Sequence, residues 1–73
     1  MSKFHWDDHI EERADLLGGK PVFKGTRIPV ELILTELGNG LDQNELLANY
    51  PSLKRDHIRA AMLFAAAMLK MEA

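Results

Sequence analysis

The stretch from Ala60 to Leu69, Ala-Ala-Met-Leu-Phe-Ala-Ala-Ala-Met-Leu, limits this chain most. Ten consecutive residues carry no polar side chain. Alanine, leucine and methionine are strong helix formers, and no glycine or proline interrupts the chain between Lys54 and Glu72. The spacing predicts one helix over residues 54–72, roughly 27 Å long at about 1.5 Å per residue. A helix resting on a core keeps a polar back, and this one has none between Arg59 and Lys70. Ile58, Met62, Ala65 and Leu69 can face one way, and Leu63, Phe64 and Ala67 another. The run is well short of the ~20 apolar residues that cross a bilayer. It is therefore either a fully buried core helix or a helix shared between two copies. A chain of 73 residues has little with which to cover both faces, and near this size a second subunit often completes the core. A homodimer is the expectation, with Leu63, Phe64, Ala67, Met68 and Met71 at its interface.

The length makes one domain, residues 10–73, preceded by a flexible arm over residues 1–9. Cysteine is absent, which excludes disulfides and thiolate metal sites and fits a reducing cytoplasm. The first eight residues have no apolar signal core, so the expected location is cytoplasmic. The net charge of −2 argues against indiscriminate nucleic-acid binding, but the distribution is uneven. Six of the nine basic residues fall in two clusters, Lys20, Lys24 and Arg27, then Lys54, Arg55 and Arg59. A mildly acidic protein can still present a basic face.

Trp6 lies among charged neighbours, where docking on the domain's own core is the ordinary fate of such a residue. His5 and His9 have the i, i+4 spacing of a metal pair on a helix, but two histidines do not make a site and no metal or other cofactor is expected. Ile10, Ala14 and Leu17 share one face of a short helix over residues 10–17. Gly18-Gly19-Lys20-Pro21 stops it. Gly19-Lys20 is not a phosphate loop, since Pro21 follows the lysine and the upstream glycine spacing is absent. Val22 to Ile28 alternates loosely, as one or two short strands bent at Gly25. Pairing of that edge with a second copy would add Val22 and Phe23 to the dimer interface.

Pro29 suits the first position of a helix carrying Val30, Ile33, Leu34 and Leu37, which Gly38-Asn39-Gly40 ends. Asp42-Gln43-Asn44-Glu45 is a capping-box start for a second helix of about two turns, with Leu46, Leu47 and Tyr50 on its buried side. Pro51 closes it. The outline is mainly α, a three-helix helix-turn-helix-like domain with a short N-terminal β segment.

At the start of the third helix, Leu53 and Ile58 have the N′ to N4 spacing of a hydrophobic staple if Lys54 is the N-cap; if Ser52 caps instead, Lys54 and Arg55 fall in the first turn. Lysine offers no acceptor and is a poor cap, and Lys54 and Arg55 oppose the positive end of the helix dipole. A phosphate backbone would turn that local cost into a gain; a solvated surface turn is the plain alternative. Lys54, Arg55, His57 and Arg59 are the candidate groove or phosphate contacts, joined by Lys24 and Arg27 from the first cluster.

Gly19-Lys20-Pro21-Val22-Phe23-Lys24-Gly25-Thr26-Arg27-Ile28 resembles the Gly-x-Pro-x-(Ile/Val)-x-Gly-Thr-Arg-(Ile/Val) signature of the bacterial domain of unknown function 433. Gly40-Leu41, Glu45, Tyr50-Pro51-Ser52-Leu53 and Ile58 to Ala61 match the family's later segments, so the resemblance runs from about Ile10 to the C-terminus. It implies a homeodomain-like or winged-helix-like fold. It also implies an antitoxin of the VapB type that binds its own promoter and neutralises a PIN-like nuclease toxin. Lys54 stands where the family usually has a competent threonine cap, and Arg13-Ala14 replaces its usual Asp-Pro. Gly25-Thr26-Arg27 has a structural reading beside the functional one. The glycine permits a backbone shape that a Cβ would exclude, Thr26 bonds locally, and Arg27 pairs with an acid such as Glu31.

Three functions therefore compete: a dimeric DNA-binding regulator of antitoxin type, a protein-interaction module that does not touch DNA, and an enzyme. The last has least support. Asp7-Asp8 and Glu11-Glu12 look like solvated charge, and no nucleophile and base stand at informative spacing, so no catalytic residue is assigned.

Overall fold

In a computed structural model, which describes residues 3–71, the chain folds as a small antiparallel ribbon followed by three helices. A single 3-10 turn, Trp6–Asp8, leads into strand β1, Ile10–Glu12; a second 3-10 turn, Leu17–Gly19, precedes strand β2, Pro21–Phe23. The helices are α1, Val30–Gly38, α2, Gln43–Asn49, and α3, Arg55–Met71. The mainly α class with a short N-terminal β segment is thus the observed one.

The helix predicted over residues 10–17 does not form. Ile10 pairs instead with Phe23, Glu11 with Val22 and Glu12 with Pro21, antiparallel. Ala14 and Leu17, two of the three residues on its predicted apolar face, are exposed, and Leu16 is buried. Three apolar residues are too narrow a stripe to outweigh a ladder that satisfies backbone groups on two segments at once. The connection is made by a turn in which Arg13 and Asp15 pair at 2.9 Å and Leu16 N–H donates to Arg13 C=O. Side chains alternate along β2. Phe23 joins the main core, while Val22 and Leu16, both buried, are not part of that cluster.

The Gly25-Thr26 turn carries β2 into α1. Gly25 has φ 82°, a backbone shape open to glycine and costly to a side chain. Thr26 bonds twice: its hydroxyl donates to Phe23 C=O at 2.8 Å and accepts Ile28 N–H at 3.0 Å. Phe23 N–H donates to Ile28 C=O, and Val22 bridges to Pro29. Pro29 stands as the N-cap of α1, one position earlier than predicted. The ion pair to Glu31 comes from Lys20 at 2.9 Å, not from Arg27.

The capping box of α2 is complete, with Glu45 N–H on Asp42 Oδ1 at 2.9 Å and Asp42 N–H on Glu45 Oε1 at 3.0 Å. The core gathers Ile10, Phe23, Val30, Ile33, Leu46, Leu53, Ile58, Ala60 and Ala61. Only the first half of α3 is therefore inside the domain. Met62, Leu63, Met68, Leu69 and Met71 are exposed, Leu69 by 69% and Met71 by 78%. A fully buried α3 is excluded for this fold. No helix among the described residues is long and apolar enough to cross a membrane.

Candidate nucleic-acid interface

Arg55 is the first residue of α3, so Lys54 is the N-cap, Leu53 is N′ and Ile58 is N4. Both staple residues are buried in the same core cluster. Lysine has no acceptor to give the helix, and the capping interaction runs the other way. Lys54 N–H donates to Nδ1 of His57 at 2.9 Å. His57 thereby fills the N3 place that Glu or Gln holds in a capping box, the place Glu45 fills in α2.

The His57 ring is half-buried. It meets Phe23 edge-on at 5.6 Å and His9 edge-on at 5.8 Å between ring centres. His9 in turn stacks on Phe4 at 5.1 Å, and the guanidinium of Arg59 sits 4.2 Å over the same Phe4 ring. Burial, first, then the neighbouring His9 and Lys54, pushes the His57 imidazole below its ordinary pKa. Each favours the uncharged ring that a hydrogen-bond acceptor needs.

The chain before β1, predicted as an arm, lies on α3 over its described part. Trp6 packs edge-on against Phe64 at 5.2 Å, and His9 N–H donates to Trp6 C=O. Lys24 is tied to this strap: its N–H donates to His9 C=O at 2.8 Å and its Nζ reaches Asp7 C=O at 3.4 Å. Met1 and Ser2 lie outside the described residues.

Lys54, Arg55, Arg59 and Lys24 are all exposed. Arg55 is engaged within the domain, donating to Gln43 Oε1 at 2.9 Å and Asn44 Oδ1 at 2.8 Å. Both acceptors are neutral amides, so the guanidinium fastens the start of α2 to the start of α3 and keeps its full charge. Gln43 and Asn44 are polar members of this edge that carry no sequence signal, because they lie twelve and eleven residues from Arg55. Arg27 stands apart. It is exposed near the Arg13–Asp15 turn, where the Asp15 carboxyl is held below its ordinary range first by Arg13 and least by Arg27.

The predicted dimer residues divide as well. Val22 and Phe23 are 0% exposed and face their own domain's interior, so neither can contact a second copy in this fold. β2 is covered by β1 and by the bridge to Pro29, which removes the open edge that placed them there. Phe64 and Ala67 are half-buried, Phe64 against Trp6. Leu63, Met68 and Met71 are exposed, together with Met62 and Leu69. Met62, Ala65, Ala66 and Leu69 recur at i, i+3, i+4 and i+7, an apolar helix stripe that lies on the distal half of α3.

No group of three or more metal-capable side chains occurs among the described residues. His57 Nδ1 is already engaged by a backbone donor.

Residues 10–65 match the family model described as a protein of unknown function, DUF433. The uncharacterized protein y4eO of Sinorhizobium fredii (strain NBRC 101917 / NGR234) is 40% identical over 58 residues, which cover 80% of this chain and 26% of that one. The chain thus spans about a quarter of that relative's length. The crystal structure of a DUF433 member protein from Anabaena variabilis ATCC 29413 superposes with a TM-score of 0.79 at 30% identity, over 86% of this chain and 62% of that chain. The shared fold and the matched residues 10–65 place the chain in one group with these proteins: it belongs to the DUF433 family.

Proposed function

We propose that this domain is a dimeric DNA-binding regulator of the antitoxin type, which meets its operator with the start of α3. The distal half of α3 pairs with a second copy, and the remaining apolar surface receives a PIN-like nuclease toxin. The observation that carries the reading is the division of one helix into two unlike ends. Its start bears Lys54 and Arg55, with Arg59 one turn further along, in the open, and its last three turns bear Met62, Leu63, Met68, Leu69 and Met71 in the open. Pairing the greasy ends would set two basic ends apart, as paired half-sites require. The antitoxin part rests on the family resemblance. The helix-turn-helix outline is an analogy of fold and adds little by itself.

A second reading has its own support. Arg55 is bound to Gln43 and Asn44, Arg59 lies on Phe4, and the chain carries net negative charge. These favour a protein-interaction module that does not bind DNA.

Retardation of the promoter fragment at 50 mM and 200 mM salt separates the two readings. A regulator using Lys54 and Arg55 loses affinity as salt rises and loses it again in Lys54→Ala/Arg55→Ala, because each released phosphate contact lowers the salt slope by about one. Retention of a co-expressed nuclease with no DNA shift at either salt concentration favours the interaction module. Unchanged DNA affinity in the double variant removes the start of α3 from the interface.

A further inference from the structure

Two helices of this domain begin with an N3 side chain accepting the N-cap N–H. In α2 it is the carboxylate of Glu45, backed by the reciprocal bond from Glu45 N–H to Asp42. In α3 it is the imidazole of His57, and Lys54 has no acceptor to return the favour. The α3 cap is therefore single-sided and titratable. An imidazole accepts a hydrogen bond only when uncharged; protonated, both ring nitrogens are donors. A protonated His57 would turn Nδ1–H toward Lys54 N–H, donor against donor. It would also place a third cation beside Lys54 and Arg55 at the positive end of the helix dipole.

We propose that His57 is a pH-sensitive cap: protonation breaks its bond to Lys54 N–H, frays the first turn of α3 and parts His57 from His9.

The surroundings oppose the charge from several sides. His9 faces the ring from the strap, and Phe23 from β2 contributes no charge. Lys24, bonded to His9 C=O, adds a cation beside the strap. On its own helix the Lys54 charge disfavours protonation, while Asp56 and, least, the backbone of Lys54 favour it, and burial exceeds each of them. Among the described residues, the acid that favours the charged ring is the exposed Asp56 on the same turn. Arg59, on the far side of Phe4, is a further cation within the same stack. The switch acts on the edge assigned above to DNA, and only that consequence rests on the DNA reading; the cap itself does not.

The test uses the full chain, followed by NMR from pH 8 to pH 5 with ring signals of all three histidines resolved. Amide exchange is read as protection factors, so that the pH dependence of intrinsic exchange cancels. In the native chain the His57 ring titrates below the ordinary histidine range. Protection at Lys54, His57 and Ile58 falls by tenfold or more with the same midpoint. His57→Gln keeps an N3 acceptor that cannot titrate, and its protection at these amides stays level over the range. His9→Phe keeps the aromatic stack and removes the neighbouring charge, so the His57 midpoint rises. Either of two results overturns the proposal. One is His57 titrating with protection unchanged. The other is the same loss of protection in His57→Gln, which would assign the pH dependence to other groups.

Discussion

Thr26→Val isolates the role of the Gly-Thr-Arg signature, because valine keeps the volume and branching of threonine and deletes only the hydroxyl. That hydroxyl makes two bonds, to Phe23 C=O and from Ile28 N–H. Their losses are unequal. Phe23 C=O still receives Thr26 N–H at 2.9 Å, so its share is an ordinary net hydrogen bond, about 0.5–1.5 kcal/mol. Ile28 N–H loses its acceptor in a half-buried turn, which costs about 1–3 kcal/mol if fully desolvated and less where water reaches it. The sum is about 2 kcal/mol. For a domain of this size 1 kcal/mol moves Tm by roughly 4–8 °C, so Thr26→Val should melt about 8–16 °C lower. Thr26→Ser, which keeps both bonds, should lose clearly less. Trp6 is the only tryptophan and packs on Phe64, so its emission follows unfolding in urea or heat without a label. A valine variant as stable as the native chain, yet defective in partner binding, would refute the structural account and make Thr26 a ligand-binding residue.

Further expectations concern other elements. Leu69→Asp/Met71→Asp puts charge on the two most exposed large hydrophobic side chains among the described residues. The native chain should sediment as twice its 8.2 kDa and the variant as one copy; a native monomer at tens of micromolar would end the dimer proposal. Asp42→Ala removes the acceptor for Glu45 N–H and should cost about 1 kcal/mol in urea denaturation. Tyr50 O–H donates to Glu36 Oε1 at 3.2 Å, and Glu36 Oε2 is buried without a partner. Tyr50→Phe should therefore lower the urea midpoint, whereas Glu36→Leu/Tyr50→Phe, which removes both partners, should recover much of the loss. For pH, the His57 value is lowered on folding, so the unfolded chain takes the proton first. The His57 contribution is intact above about 6.5, the ordinary histidine value, and is lost as pH falls through the window below it. The stability gap between the native chain and His57→Gln, measured at each pH, should widen in that direction.

What could be read from the sequence was what is local. The Asp42–Glu45 box, the turn after Leu37 and the Leu53–Ile58 staple depend on spacings of three to five residues, and each stands where those spacings put it. The ribbon was not legible in the same way. Ile10, Ala14 and Leu17 fit a helix as well as Ile10 and Phe23 fit a ladder, and only the chain reversal before Pro21 decides between them. The error over Val22 and Phe23 has the same origin, since whether a strand edge is open depends on what pairs with it. His57 is the instructive middle case. Once the staple fixes Lys54 as N-cap, counting three residues on reaches His57 at N3. The signal is present in the sequence but unfamiliar, because a capping box ordinarily has Glu or Gln at that place. Arg55 carries no such signal, because its acceptors lie on another helix. A cluster of basic residues thus marks where positive charge gathers, while tertiary contacts decide how much of it is free to meet an anion. In this domain the start of α3 is both a charged edge and a packed joint. Substitutions there must be read against fold stability before any loss of binding is assigned to contact.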